Sequence, residues 1–99
     1  MGLLSAIFGK KEKVDINSLI AHGAKIIDVR GKEEFTTGHV HKSLNIPLQN
    51  IEHSLDTIKR YNKPVVVVCR SGFRSSQAVK TLKKNGIEAH NGGAWQNLA

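Results

Sequence analysis

The sequence predicts an α/β domain: a mainly parallel sheet with helices on both faces. Three observations carry that expectation. β-Branched runs at residues 24–29 and 65–68 alternate with segments of helical periodicity, the order of β-α-β units and not of hairpins. Val65 to Val68 is an unbroken valine run with no polar alternate, the habit of a strand covered on both faces. Glycines stand where helices would have to end, at Gly23, Gly38 and Gly86.

The elements follow in order. Asp15 to Gly23 reads as a short helix, with Asp15 as its N-cap and Gly23 as its stop. Ala24 to Val29 is a strand by its β-branched content. Lys32 to Gly38 is a second short helix, and Ser43 to Pro47 an extended piece closed by proline. Within Asn50 to Tyr61, Ile51, Leu55 and Ile58 fall at i, i+4 and i+7, which predicts an amphipathic helix. Pro64 introduces the strand Val65 to Val68. Ser75 to Asn85 predicts a helix with Ala78, Val79 and Leu82 as its apolar stripe and lysines toward its C-terminal half. Ile87 to His90 is a last strand, Asn91-Gly92-Gly93 a turn, and Trp95 to Leu98 a short cover. Right-handed crossovers put helices on both faces. Ligands of such sheets gather beyond the C-terminal ends of the strands, the edge at which Cys69 lies.

With 99 residues the chain has material for one domain, expected over residues 14–99 behind an arm of residues 1–13. In that arm Leu3, Leu4, Ile7 and Phe8 recur at helical spacing and Lys10, Lys11 and Lys13 follow. Charges after the apolar residues are the reverse of a secretory signal, and Ala6 does not fit the myristoylation pattern. The expectation is an arm packed on the domain in preference to an interfacial membrane foot. The net charge of +7 suits small anions; aromatics at 5% and the lack of any nucleic-acid-binding signature argue against a nucleic-acid partner. A single cysteine forms no internal disulfide, which fits a cytoplasmic location and a free thiol with a task. None of the five histidines has zinc-ligand spacing with Cys69, so neither a metal nor another cofactor is expected. The chain is expected to be a monomer or a weak dimer.

Val65-Val66-Val67-Val68-Cys69-Arg70-Ser71-Gly72-Phe73-Arg74-Ser75-Ser76 holds that cysteine. A cysteine after a valine run is often only a small buried residue, with arginines in solvent and serines capping a helix. Here the surroundings favour a thiolate. The next helix starts close by with its positive dipole end, and Arg70 and Arg74 add permanent charges. Gly72 lets the turn adopt positive φ, so that successive N–H groups converge as an anion nest. The thiolate is the nucleophilic form, and each pKa unit of lowering takes about 1.4 kcal/mol.

These residues resemble a known family, the single-domain rhodaneses. Ile26-Ile27-Asp28-Val29-Arg30 resembles its first strand and D-V-R ending. Glu34-Phe35-Thr36-Thr37-Gly38-His39-Val40 resembles its E-F/Y-x-x-G-H-I segment, and Leu44-Asn45-Ile46-Pro47 its N-I/V-P step. Cys69 to Ser75 matches the C-R-S-G-x-R-S loop residue for residue. Gly92-Gly93 before Trp95 resembles the closing G-G…W, with a shorter gap than the common G-G-x-x-x-W. The resemblance implies a five-stranded sheet and a Cys69 that carries a sulfane sulfur as a persulfide. It implies thiosulfate or a similar small anionic donor and a thiophilic acceptor, cyanide or a thiol. Arg70, Ser71, Gly72, Phe73, Arg74 and Ser75 would then bind the substrate. Asp28 and Arg30 read as a structural ion pair first and as supporting contacts second.

Two rival readings remain. A phosphatase or arsenate reductase would place Cys and Arg around a C-x5-R loop. Cys69 to Arg74 is one residue shorter, and no general-acid aspartate loop is evident. A persulfide carrier or regulatory binding module needs the same loop as an enzyme, so sequence does not separate the two.

Overall fold

The computed structural model describes residues 15–98. Helix α1 (Ile16–Ala21) is capped by Asp15, whose carboxylate accepts the Ser18 N–H at 3.2 Å. Strand β1 (Lys25–Asp28), helix α2 (Lys32–Thr36) and a short strand β2 (Leu44–Asn45) follow. Two 3-10 turns, Leu48–Asn50 and Glu52–Ser54, lead into helix α3 (Leu55–Tyr61). Strand β3 (Val65–Cys69), helix α4 (Phe73–Lys84), strand β4 (Ala89–Ala94) and a 3-10 turn at Trp95–Asn97 complete the domain. The sheet is parallel throughout, in the order β2-β1-β3-β4. β3 therefore has a neighbour on each side, and the loop carrying the cysteine leaves from the middle of the sheet.

The valine run does not alternate because both faces of β3 are covered. Val65, Val67 and Cys69 join Ile27, Ile51, Ile58, Ala78 and Leu82 under α3 and α4. Val66 and Val68 join Ile26 and Val40 beneath α1, Trp95 and Leu98. All four valines are fully buried, each worth about 1.5–3 kcal/mol over leaving it in water. Helices thus lie on both faces, as expected.

Four strands are found among the described residues, where the family resemblance implied five. They correspond to the four β-branched or extended runs that the sequence offers. Other differences are local. The segment Asn50–Tyr61 keeps its buried face, with Ile51 and Ile58 at 1% exposure, but only Leu55–Tyr61 is α-helical. Apolar spacing fixes the buried face without fixing the pitch of short 3-10 turns. Helix α4 starts at Phe73 and not at Ser75, because Gly72 at φ +101° turns the chain directly into it. Asn91-Gly92-Gly93 is no turn but the middle of β4. Val67 pairs with Asn91 and Val68 with Gly93, so Gly92 is an extra residue in a bulge. A Cβ on Gly92 would stand 2.8 Å from Val66 Cγ1 and 3.0 Å from Val68 Cγ1, so only glycine lets β4 approach this closely.

Candidate active site

The Cys69 sulfur sits where β3 ends and α4 begins. Helix α4 has 12 residues, and its N-cap, Gly72, has no side chain to accept the first N–H groups. The sulfur takes that role. It accepts the Gly72 N–H at 3.0 Å and the Ser75 N–H at 3.4 Å, and Ser75 Oγ lies 3.4 Å away. The N–H groups of Phe73 and Arg74 point from the same helix end with no acceptor among the described residues. Burial of the sulfur, 1% exposed, works against its charged form. The Ser75 hydroxyl and the N–H groups of Ser75, Gly72 and Ser71 outweigh burial and hold the thiol below its ordinary value of 9.0. A thiolate here is therefore stabilised mainly by hydrogen bonds, with the helix dipole in the same direction.

The arginines do not act alike. Arg70 is exposed and makes no side-chain hydrogen bond among the described residues. Arg74 forms a two-pronged bond to Glu34 on α2, Nη1 to Oε1 at 2.8 Å and Nη2 to Oε2 at 3.1 Å. That bond raises the guanidinium further above its ordinary value and holds Glu34, ordinarily at 4.5, down to about 2. The Gly31 N–H adds to the effect on Glu34. Arg74 thus faces the loop with its fork already filled by a carboxylate. Ser71 and Phe73 lie on the exposed rim, Phe73 at 70% exposure.

Asp28 and Arg30 stand at the end of β1 as a buried pair, at 0% and 3% exposure. Arg30 Nε and Nη2 both reach the Asp28 carboxylate, and Nη2 also donates to the Gly38 carbonyl at 2.7 Å. The guanidinium lies 4.6 Å from the centre of the Trp95 ring. Nε and Nη2 of Arg30 are thus both engaged inside the protein. The pair ties β1 to the α2 loop and to the C-terminal cover and does not touch the sulfur. His39, in the same segment, stacks on Phe35 at 3.8 Å and bonds the Phe35 carbonyl.

Two site residues escape a reading of the sequence. Glu34 is 40 positions from its partner Arg74. Its one signal is that an arginine in the first turn of a helix calls for an acid on a neighbouring element. Asn91 sits in the bulge of β4. Its Oδ1 accepts the Ser75 hydroxyl at 2.7 Å and the Gly93 N–H at 2.8 Å, and its Nδ2 donates to the Gly72 carbonyl at 3.1 Å. The arm of residues 1–13 lies outside the described residues. Among the described residues no helix is long and apolar enough to cross a membrane.

The rhodanese-like domain model matches residues 12–95. The uncharacterized protein YqhL of Bacillus subtilis is 43% identical over 63 residues, 64% of this chain and 49% of that protein, so the chain spans about half its length. The thiosulfate sulfurtransferase GlpE of Shewanella oneidensis is 28% identical over 79 residues, 76% of this chain and 77% of that protein. Among solved structures, a rhodanese with anions from E. coli aligns at a TM-score of 0.71 and 32% identity, covering 78% of this chain and 93% of the other.

Proposed function

The chain belongs to the rhodanese-like domain family, and from that premise we propose that it is a sulfurtransferase working through a Cys69 persulfide, with thiosulfate or a similar small anion as donor. The observation that carries the reading is the sulfur of Cys69 held by the Gly72 and Ser75 N–H groups, with its pKa lowered in spite of burial. The thiolate attacks the outer sulfur of thiosulfate. A new S–S bond forms to Cys69, the S–S bond of the donor breaks, and sulfite leaves with its electron pair. A thiophilic acceptor, cyanide or a thiolate, then takes the outer sulfur and returns Cys69 as the thiolate. No proton transfer is needed at either step. Double displacement of this kind predicts ping-pong kinetics.

Charge is the main demand of this chemistry, since donor, leaving group and persulfide are all anionic. In this reading the N–H groups of Phe73 and Arg74, which have no acceptor among the described residues, are the donors for the outer sulfur. Arg70, exposed at the rim, is the loop arginine with no ion-pair partner among the described residues and would attract the donor, while Arg74 is engaged by Glu34. That engagement, with the shorter C-x4-R ring, also weighs against a phosphatase, which needs a free arginine fork on the phosphoryl oxygens. The exposure of Phe73 beside the loop favours a second reading, a carrier that delivers its sulfur to a protein. Turnover with cyanide, small thiols and protein thiols compared in one series separates the two.

The test is intact-protein mass spectrometry after incubation with thiosulfate, on the wild type and Cys69→Ser. One added sulfur in the wild type alone, discharged by cyanide with release of thiocyanate, is expected. No added sulfur from thiosulfate or from a small persulfide, or the same gain in Cys69→Ser, overturns the proposal.

A further inference from the structure

The sulfur, the loop and the last strand are joined in a closed ring of hydrogen bonds. Cys69 Sγ–H points at Ser75 Oγ, and the Ser75 hydroxyl donates to Asn91 Oδ1 at 2.7 Å. Asn91 Nδ2 donates to the Gly72 carbonyl, and the Gly72 N–H returns to the sulfur at 3.0 Å. The Ser75 hydroxyl has one proton and two acceptors within reach, Asn91 Oδ1 and a thiolate at Cys69. Asn91 Oδ1 keeps the Gly93 N–H whichever way that proton turns, and the Gly72 carbonyl keeps the Ser76 N–H at 3.1 Å.

We propose that Asn91 is a positioning residue of the thiol site, which decides whether the Ser75 hydroxyl proton rests on the amide oxygen or on the sulfur. The proposal deepens the sulfurtransferase reading, and it concerns only the readiness of Cys69 to react. In the resting thiol, Asn91 holds the proton away and the S–H donates to Ser75. When the thiol ionises, the hydroxyl turns to the sulfur and gives up its bond to Asn91. The strength of the acceptor at position 91 therefore sets the cost of forming the nucleophile.

Two substitutions move that cost in opposite directions. Asn91→Asp keeps the shape but gives up the bond to the Gly72 carbonyl, which a carboxylate cannot donate; it strengthens the hold on the Ser75 proton and adds a negative charge, so the thiolate forms less readily. Asn91→Leu keeps the bulk and removes the competing acceptor, so the hydroxyl is free for the sulfur and the thiolate forms more readily. Asn91 is exposed, so neither side chain has to be accommodated in the core. The other charged groups around the site are unchanged in both variants: Arg70 on the loop, Arg74 with Glu34 between α4 and α2, Asp28 with Arg30 at the end of β1, and His90 of β4 with Glu88 just before it.

The experiment follows the rate of Cys69 alkylation by iodoacetamide against pH in the full chain, with a melting curve for each variant. The readout needs no sulfur donor, so it stands or falls apart from the sulfur-transfer reading. The expected result is a midpoint raised by about one pH unit or more in Asn91→Asp and lowered in Asn91→Leu. A residue that only braces the loop would shift both midpoints the same way or neither, and either outcome overturns the proposal. The sign in Asn91→Leu alone suffices if the aspartate variant does not fold.

Discussion

Replacing Gly92 by alanine puts the closeness of β4 to the central strand to a quantitative test. The new Cβ would lie 2.8 Å from Val66 Cγ1, about 0.7 Å inside the near limit of comfortable carbon–carbon contact, about 3.5 Å. It would also stand 3.0 Å from Val68 Cγ1 and 3.3 Å from the Val67 carbonyl oxygen. Neither valine has room to give. Both are fully buried on a strand paired on each side, and valine has few alternative rotamers. Overpacking of this kind costs about 1–3 kcal/mol. The loss of glycine's freedom in the unfolded chain offsets about 0.4–1 kcal/mol of that. The difference spans roughly 0–2.6 kcal/mol, and its middle, about 1.3 kcal/mol, lowers the melting temperature of a domain this size by about 5–10 °C. Far-UV circular dichroism melts of the two proteins side by side measure it. A variant that melts at or above the wild-type temperature would refute the reasoning, since β4 would then have space that the bulge denies it.

Two further outcomes follow from the site. Glu34→Gln should cost on the order of 1 kcal/mol or less, because both side chains of the Glu34–Arg74 pair are more than a third exposed. A carboxylate held down to about 2 contributes stability fully above its unfolded value of 4.5 and loses it as pH falls through about 2. The gap in melting temperature between wild type and Glu34→Gln should therefore be constant near neutral pH and close between about 4.5 and 2; a gap that closes at neutral pH would contradict the pairing. Ser75→Ala removes one hydrogen bond to a charged sulfur, worth about 1.5 kcal/mol, and should raise the midpoint of Cys69 alkylation by about one pH unit. An unmoved midpoint would mean that the backbone N–H groups alone stabilise the thiolate.

The parts of the molecule legible in the sequence are those fixed by neighbours in the chain. Four adjacent valines already say that β3 is covered on both faces. A cysteine, a glycine and a helix start within a few residues already place the thiol on a helix end. The rest depends on contacts between distant positions. Arg74 looked free to clamp an anion, but the fold brings Glu34 against it from 40 positions away. Asp28 and Arg30, only two positions apart, were readable as an ion pair for the same local reason. Asn91-Gly92-Gly93 has turn composition, yet the pairing with β3 draws it into a bulged strand, and only that bulge turns Asn91 toward Ser75. Composition records what a segment tolerates; the partner strand decides which conformation it takes.

The strand that delivers the nucleophile also has the composition that favours self-association. Val65 to Cys69 is uncharged, β-branched and 0–1% exposed in the native state, so any unfolded molecule presents a ready template for cross-β stacking. The chain brackets it with Lys63 and Pro64 on one side and Arg70 on the other, the charges and the missing N–H that discourage such stacking. Arg70, read at the site as an attractor of anions, thus has a second use as a gatekeeper. Substitutions that remove its charge should be judged by the yield of soluble protein as well as by sulfur transfer.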